Sequence, residues 1–354
     1  MSDYSSPHTE AKVADTNGRL APLLASDPKG RLDADMKHVL AIMDELGTRP
    51  LEYCTPAMAR RQPGISDAIA TIFARQNRVP ALDGVEAQDL AIENGAAGEL
   101  PVRLYRPSGL LSRLNPVVLY LHGGGFVLGD LDSHDASARA IARRTGAIVV
   151  SPAYRLAPEH RFPAAHEDAW TVWKWLLEQV HELGGDRRRM AIAGEDAGAN
   201  LAANIALRAR DEHLTQPIHQ ILIHPIAGSD LSTPSYGETL RARPVGLPVM
   251  RWRFRQLFDD ETMASDPRID LVARGDLYGT APATIILAEV DPLRSEGEAL
   301  AEALGNAGVQ VDSLVYEGVT QGFFGAALVV TKALFAQTDA AQALSGAFAP
   351  GRQS

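Results

Sequence analysis

Short runs of β-branched and other apolar residues alternate with amphipathic stretches along most of the chain. The runs, each bounded by turn residues, lie at 117–121, 147–150, 190–193, 221–223, 284–287 and 313–316. Runs of this length and composition are typical of central strands that are covered on both faces. An extended segment begins near Val85 and ends at 101–106, where polar and apolar residues alternate as in a half-buried strand.

Helical spacing of apolar residues appears around and between these runs. It covers 36–46, 65–73, 163–183, 197–210, 296–307 and a stretch from Phe324 onwards. Pro163 stands at the first position of its helix, which proline favours. Strands that alternate with helices over most of a chain predict an α/β fold with a mostly parallel, doubly wound sheet. Ligands of such sheets bind beyond the carboxyl ends of the strands.

Two segments do not follow the alternation of strands and helices. Residues 31–85 hold two amphipathic helices ahead of the sheet, and residues 228–275 are rich in proline and aromatic residues, with helical spacing but no strand. We predict that both segments form a cap over the cavity of the core. The resulting division is a poorly ordered arm at 1–30, cap helices at 31–85, a core at 86–227 and 276–350, and a cap insertion at 228–275.

Composition and charge exclude several classes of protein. The 354 residues carry 34 Lys and Arg against 44 Asp and Glu, a net charge of −10 at pH 7, which is opposite to the charge of a nucleic-acid-binding protein. No apolar run reaches the ~20 residues that a bilayer span requires. The polar N-terminus lacks the apolar stretch of a signal peptide, so we predict a cytoplasmic protein. Cys54 is the single cysteine, which excludes a disulfide within the chain.

Three segments that follow predicted strands contain residues suited to catalysis. His122-Gly-Gly-Gly125 follows the first central run, and its glycines let backbone N–H groups point at a developing negative charge. Gly194-Glu-Asp-Ala-Gly198 lies between a strand and a helix and has the glycine frame of a nucleophile elbow, G-x-S-x-G. Asp291 and Gln321 follow the last two strands.

Four segments in this order resemble the hormone-sensitive-lipase-like branch of the α/β-hydrolase superfamily, the bacterial esterases with an HGGG oxyanion-hole motif. The segments are HGGGFVLGDLDSHD (122–135), YRLAPEHRFPAAHEDA (154–169), GEDAGANLA (194–202) and DPLRSEG (291–297). The resemblance implies an α/β-hydrolase fold with an eight-stranded, mostly parallel sheet and a helical cap. It also implies a catalytic triad in the order serine, acid, histidine, and homodimers occur among similar proteins.

The chain departs from that triad at two of its three positions. Asp196 stands where the serine is expected and Gln321 where the histidine is expected, and only the acid, Asp291, is retained. None of the ten histidines follows Asp291, and no other G-x-S-x-G occurs in the sequence. An ordinary serine-esterase mechanism is therefore excluded on residue type.

A carboxylate in place of the serine changes the chemistry that the site can perform. Asp196 can act as a nucleophile or as a general base, but Gln321 is not basic and cannot activate the water that would cleave an ester intermediate. If Gln321 lies between Asp196 and Asp291, its amide can donate a hydrogen bond to one carboxylate and accept one from the other when that group is protonated. Two neighbouring carboxylates would then raise the pKa of one of them.

The predicted site contains three further groups of residues. The backbone N–H groups of the oxyanion hole are assigned to Gly123, Gly124 and Ala197. Substrate contacts are assigned to His122, Gly125, Phe126, Glu195 and Phe323. His134 lies among Asp130, Asp132 and Asp135, which we interpret as a loop-to-helix cap rather than a metal site.

The predicted activity is that of an enzyme on a small, mostly apolar ester, lactone or carbon acid, without a serine nucleophile. We expect no metal or cofactor, no nucleic acid or membrane as partner, and a small-molecule substrate or ligand. Two alternatives stay open: a catalytically silent pseudo-hydrolase that only binds its ligand, and an esterase deliberately inactivated by substitution.

Overall fold

Eight strands hydrogen-bond into one sheet in the computed structural model, which describes residue 27 and residues 29–79, 84–94, 97–109 and 114–349. In chain order they are β1 Val85–Glu93, β2 Glu99–Pro107, β3 Asn115–Leu121, β4 Ile148–Pro152, β5 Gly185–Glu195, β6 Gln220–Ile223, β7 Ala283–Val290 and β8 Val311–Thr320. Their order across the sheet is β1-β2-β4-β3-β5-β6-β7-β8. The predicted α/β fold with an eight-stranded sheet is confirmed. The arm predicted at 1–30 lies mostly outside the described residues.

Only the first strands of the sheet are antiparallel. β1 pairs with β2 and β2 with β4 in antiparallel register, and every pairing from β4 through β8 is parallel. The extended segment predicted before Arg106 is two strands, because the chain reverses where the Asn94 N–H donates to the Gly98 carbonyl at 2.8 Å. Gly98 has a φ of +85°, which suits glycine at such a turn.

Ten helices lie within the residues that the structure describes. They are α1 Ala34–Glu45, α2 Pro56–Ala59, α3 Ile65–Arg75, α4 Asp135–Thr145, α5 Ala164–Gln179, α6 Ala197–Asp211, α7 Pro234–Glu238, α8 Leu247–Leu257, α9 Arg294–Asn306 and α10 Thr331–Phe348. Short 3₁₀ turns occur at Leu51–Tyr53, Glu261–Ser265 and Phe323–Ala326. Pro163 is the residue before α5 rather than its first residue, a correction to the predicted helix start.

Each face of the sheet contributes to a separate apolar cluster. Along β3, Leu119 and Leu121 belong to one cluster and Val118 and Tyr120 to the other, because successive side chains of a strand point to opposite faces. Apolar residues of α5 and α6 complete the first cluster, whereas residues of α1, α3, α4 and α10 complete the second. Both faces are therefore covered, as the continuous apolar strands predict.

The two segments predicted to form the cap contact each other. The Trp252 indole N–H on α8 donates to the Cys54 carbonyl at 3.0 Å, and Arg243 forms an ion pair with Asp44 at the end of α1. Residues 228–275 hold α7, α8 and a short 3₁₀ turn. The division into cap and core stays a prediction. Within the described part of the chain, no helix has the length and apolar character needed to cross a membrane.

Candidate functional site

A cavity of about 1370 Å³ lies at the carboxyl ends of the central strands. Its floor is formed by residues at or just beyond the carboxyl ends of β3, β5, β6 and β8, and its walls come from the N-terminal helices and from the segment before and within α8. The floor residues are Gly123, Gly124, Glu195, Asp196, His224 and Gln321. The cavity therefore lies where an α/β sheet is expected to bind its ligand.

Asp196 occupies a strained turn between β5 and α6. Its φ of +54° and ψ of −114° are rarely adopted by a residue with a side chain. The turn is possible because glycines flank it: a Cβ on Gly198 would lie 2.0 Å from the Leu121 carbonyl oxygen, and one on Gly194 would lie 2.2 Å from the Gly198 carbonyl oxygen. The backbone thus directs the Asp196 side chain toward the cavity floor, where it is only 3% exposed.

The Asp196 carboxylate is bound by two donors from different parts of the chain. The Gly124 N–H donates to Oδ2 at 3.0 Å. Arg253 of α8 lies with its Nη1 at 3.2 Å from Oδ2 and 3.5 Å from Oδ1, and both charged side chains are buried. A buried guanidinium beside this turn therefore neutralises the charge of the carboxylate.

The second N–H group of the glycine loop is also hydrogen-bonded. The Gly123 N–H donates to Nε2 of His134 at 3.1 Å, and His134 Nδ1 lies 3.0 Å from the Ser133 hydroxyl. Because Nε2 is an acceptor, the imidazole proton is on Nδ1. Burial lowers the pKa of His134 to about 4, so the ring is neutral at physiological pH. Thus both loop N–H groups assigned to the oxyanion hole bind side chains of the same chain.

The loop itself requires glycine at its centre. Gly124 has a φ of +117°, and a Cβ there would lie 2.1 Å from the Leu128 carbonyl oxygen. Gly125 packs under the guanidinium, since a Cβ on it would lie 2.3 Å from Cδ of Arg253. Ala197, the third residue assigned to the oxyanion hole, is the first residue of α6 and is fully buried.

Asp291 and Gln321 carry buried polar atoms without partners. One Asp291 oxygen accepts the Leu293 N–H at 2.9 Å, while its Oδ2 has no hydrogen-bond partner among the described residues. Burial raises the pKa of Asp291 to about 8. Nε2 of Gln321 is likewise buried and unpartnered within the described ranges. The hydrogen bonds considered for Gln321 with Asp196 and Asp291 are therefore not formed: Asp196 is paired with Arg253 and Gly124 instead.

Glu195 is the one predicted substrate-contacting residue that lines the cavity. It accepts a hydrogen bond from the Tyr120 hydroxyl at 2.6 Å, and its other oxygen lies 3.7 Å from Nε2 of His224. The carboxylate is thus anchored to the sheet beneath the floor.

The other predicted substrate contacts lie outside the cavity lining. Nδ1 of His122 donates to the Gly123 carbonyl at 2.8 Å, and the ring stacks on Tyr154 at 4.1 Å, so this side chain holds the glycine loop rather than facing the cavity. Phe126 stacks on His166, with ring centres 5.5 Å apart, and Phe323 packs in the core. Gly125 is covered by Arg253, as described above.

The acidic residues around His134 make loop and surface contacts. Asp130 accepts the Ser133 N–H at 2.7 Å, as a loop cap does, and Arg103 pairs with Asp132 and Asp135. Within the described part of the chain, no cluster of three or more His, Cys, Asp or Glu residues is arranged to hold a metal ion.

Sequence reasoning did not assign three cavity-lining residues to the site: Arg253, His134 and His224. Arg253 and His224 come from segments that carry no local catalytic motif, whereas His134 was interpreted as part of a loop cap. Arg253 could have been noticed because it follows Val249, Met250 and Trp252 in a buried helix, where an unpaired charge is costly. His224 follows β6 directly, accepts the Gly322 N–H at 3.3 Å, and has a pKa lowered by burial.

The chain is similar in sequence and in fold to known esterases. A family profile described as "alpha/beta hydrolase fold" matches residues 118–325. The carboxylesterase NlhH of Mycobacterium tuberculosis is 42% identical over 69% of this chain and 79% of its own length. An ethyl acetate hydrolase of Pseudomonas putida is 36% identical over 69% and 78%. The solved structure of a hyperthermophilic esterase from the archaeon Pyrobaculum calidifontis has a TM-score of 0.79 and 34% identity, covering 89% of this chain and 98% of that one.

Proposed function

Because the chain belongs to the α/β-hydrolase family and has carboxylesterases among its relatives, we propose that it hydrolyses a small ester or lactone without a serine nucleophile. The observation that supports this proposal is the placement of Asp196. Its carboxylate stands on a strained strand-to-helix turn, at the floor of a large cavity and beside the glycine loop. Strained backbone of this kind clusters at functional sites.

In the proposed reaction Asp196 acts as a general base toward water. The carboxylate takes a proton from a water molecule as the water oxygen bonds to the carbonyl carbon of the ester. The bond from that carbon to the leaving oxygen then breaks, and the proton passes from Asp196 to the leaving oxygen. An acid and an alcohol are formed, and Asp196 is regenerated.

The oxyanion of this reaction would be stabilised by the glycine loop and by Arg253. The N–H groups of Gly123 and Gly124 now bind His134 and Asp196, so a substrate oxygen must replace one of these acceptors. The Arg253 guanidinium adds a positive charge at the same place. The same carboxylate could instead take a proton from a carbon acid, with the enolate held by these donors.

A general base is a simpler assignment for Asp196 than a nucleophile. Direct attack on an ester would form a mixed anhydride, and a second step would need a base for the hydrolytic water. Gln321 cannot act as that base, and the Nε2 lone pair of His134 is occupied by the Gly123 N–H. The water route needs only one proton acceptor, which Asp196 provides.

A second candidate function is ligand binding without turnover. It is favoured by one observation: the two glycine-loop N–H groups and the Asp196 carboxylate are all hydrogen-bonded within the chain. A site of this kind would hold a small molecule in the cavity and perform no chemistry on it. In either case the proposed partner is a small molecule, while a cytoplasmic location and a homodimer stay predictions.

The two candidates are separated by measuring turnover of p-nitrophenyl acetate and butyrate by the wild type and by Asp196→Asn. If Asp196 is the general base, the amide variant should lose at least about 10²-fold in kcat. Glu52→Gln is the matched control, because it removes a carboxylate from the cavity wall far along the chain from the turn. Unchanged turnover in Asp196→Asn would exclude Asp196 as the base. Thermal stabilisation by these esters with no product would favour binding alone.

A further inference from the structure

Arg253 has more hydrogen-bond donors than the described residues provide acceptors for. A guanidinium carries five N–H donors, yet the hydrogen bonds that Arg253 forms with these residues come from Nη1, to Asp196 and to the Met250 sulfur. Nε is buried and has no partner among the residues described, and Nη2 makes no hydrogen bond with them. The side chain is only 4% exposed but lines the cavity. An anion entering the cavity would therefore meet a desolvated cation with free donors.

We infer that the cavity floor is a carboxylate-binding site built on Arg253. Its ligands are either the acid released from an ester or an ester that carries a carboxylate of its own. The inference names the ligand class of the proposed hydrolysis and rests on it. A guanidinium prefers a carboxylate because two parallel N–H···O bonds match its planar shape. The edge formed by Nη1 and Nη2 is the one available, since Nε packs over Gly125.

Asp196 is an internal competitor for this site. Its oxygens lie 3.2 and 3.5 Å from Nη1 of Arg253, which is longer than the 2.7–2.9 Å or so of a close charge-assisted hydrogen bond. Of the other cavity arginines, Arg60 is paired with Glu159 and Arg243 with Asp44. Arg49 and Arg241 also line the cavity, but both are exposed on its wall, whereas Arg253 is buried at the floor. Removing the Asp196 charge would leave Arg253 without an ionic partner and should strengthen the binding of a ligand carboxylate.

The test is calorimetric titration at pH 7 with hexanoate and with hexanamide, its neutral analogue. Wild-type protein should bind hexanoate at least ten-fold more tightly than hexanamide. Asp196→Asn should tighten hexanoate binding by a further ten-fold and leave hexanamide unchanged. Arg253→Met, made in the Asp196→Asn background so that no buried carboxylate is left unpaired, should abolish the preference for hexanoate. Arg251→Met removes an exposed charge from the same helix and should keep it.

Equal binding of hexanoate and hexanamide by both the wild type and Asp196→Asn would overturn the inference. The source of the carboxylate is identified by comparing kcat/KM for monomethyl and dimethyl adipate. A preference for the monoester indicates a carboxylate carried by the substrate, whereas equal rates with competitive inhibition by hexanoate indicate the acid product. The titrations involve no turnover. If hexanoate binds no better than hexanamide, the hydrolysis proposal is unaffected. If Asp196→Asn turns over esters as fast as the wild type, the carboxylate-binding result is unaffected.

Discussion

The two sides of the cavity floor differ in how their polar groups are satisfied. On the β5 side, the Asp196 carboxylate is paired with the Gly124 N–H and with Arg253. On the β7 and β8 side, Asp291 Oδ2 and Gln321 Nε2 are buried without partners within the described ranges, at a cost of about 1–3 kcal/mol each. We call the first side complete because its carboxylate has both an N–H donor and an ionic partner, although Nε of Arg253 is itself unpartnered among the described residues. We call the second side incomplete because its carboxyl and amide groups have buried atoms without partners there.

Restoring the expected residues on both sides at once should have the largest effect. In Asp196→Ser with Gln321→His, the imidazole would receive a partner in Asp291 and could take the serine proton. We expect esterase activity on p-nitrophenyl butyrate to rise by about 10²–10⁴-fold over the wild type. The two single variants are the controls. A double variant no more active than either single one would mean that the second side lacks more than an imidazole.

Removing Arg253 should destabilise the protein through the complete side, where this arginine is the ionic partner of Asp196. Arg253→Met leaves the Asp196 carboxylate buried without its ion pair, and we expect unfolding in guanidinium chloride to require about 3–5 kcal/mol less free energy. Adding Asp196→Asn should restore most of that loss, because both charges are then gone. Arg251→Met should change stability by less than about 0.5 kcal/mol. A loss that Asp196→Asn fails to restore would show that Arg253 stabilises the protein by packing instead.

The incomplete side should make stability depend on pH. The pKa of Asp291 is raised to about 8 in the folded protein and is near 4 when unfolded. The stabilisation that comes from protonated Asp291 is therefore fully present below pH 4 and is lost as pH rises through about 8. Between pH 6.5 and 8 this loss is up to about 2 kcal/mol, and Asp291→Asn should remove that part of the decline.

The histidines do not obscure this decline when the two proteins are compared. The buried histidines with lowered pKa values, such as His134, are neutral in the folded state from pH 6.5 to 8 but about half protonated in the unfolded state at pH 6.5. Their effect on stability is the same in the wild type and in Asp291→Asn, so the difference between the two profiles isolates Asp291. Burial raises the pKa of Glu296 to about 8 as well. The stability of Asp291→Asn should therefore still fall with pH by the amount that Glu296 causes. Parallel stability profiles for the wild type and Asp291→Asn would contradict the assignment.

Replacing Gln321 by an apolar side chain should have the smallest effect. Gln321→Met removes the buried amide nitrogen that has no partner in the described structure and keeps the length of the side chain. We expect the free energy of unfolding to rise by about 1 kcal/mol. Gln337→Met is a matched control, because the Gln337 amide donates to the Phe324 carbonyl at 2.7 Å and its loss should destabilise. A destabilised Gln321→Met would indicate that the amide has a partner in solution.

Most of the sheet could be predicted because its central strands are buried on both faces. Six apolar runs match β3 to β8, since a covered strand selects β-branched residues at every position. The apolar pattern does not predict helix α4, of which only the preceding loop-to-helix cap was interpreted, because its sequence DASARAIARRT has few large apolar residues. β1 and β2 were predicted as one segment, since the turn that separates them depends on a backbone hydrogen bond between Asn94 and Gly98.

The site was predictable only where one short segment forms it. The glycine loop and the turn at Asp196 are local, and their glycine spacing indicates the backbone shape. Arg253 and His134 reach the floor through tertiary packing, which no local pattern records. The bridge considered from Gln321 to both carboxylates is not formed, because Arg253, approaching from α8, is already paired with Asp196.

The backbone of the turn at residue 196 holds its positive φ through the flanking glycines, independently of the side chain there. The main chain therefore sets the direction of the side chain at this position. Different small side chains can replace one another there and still point into the cavity. Cys54, the single thiol of the sequence, is buried. In a Cys54→Ser background, a cysteine at position 196 can be labelled with an environment-sensitive fluorophore. Ligand binding in the cavity should then change the fluorescence emission.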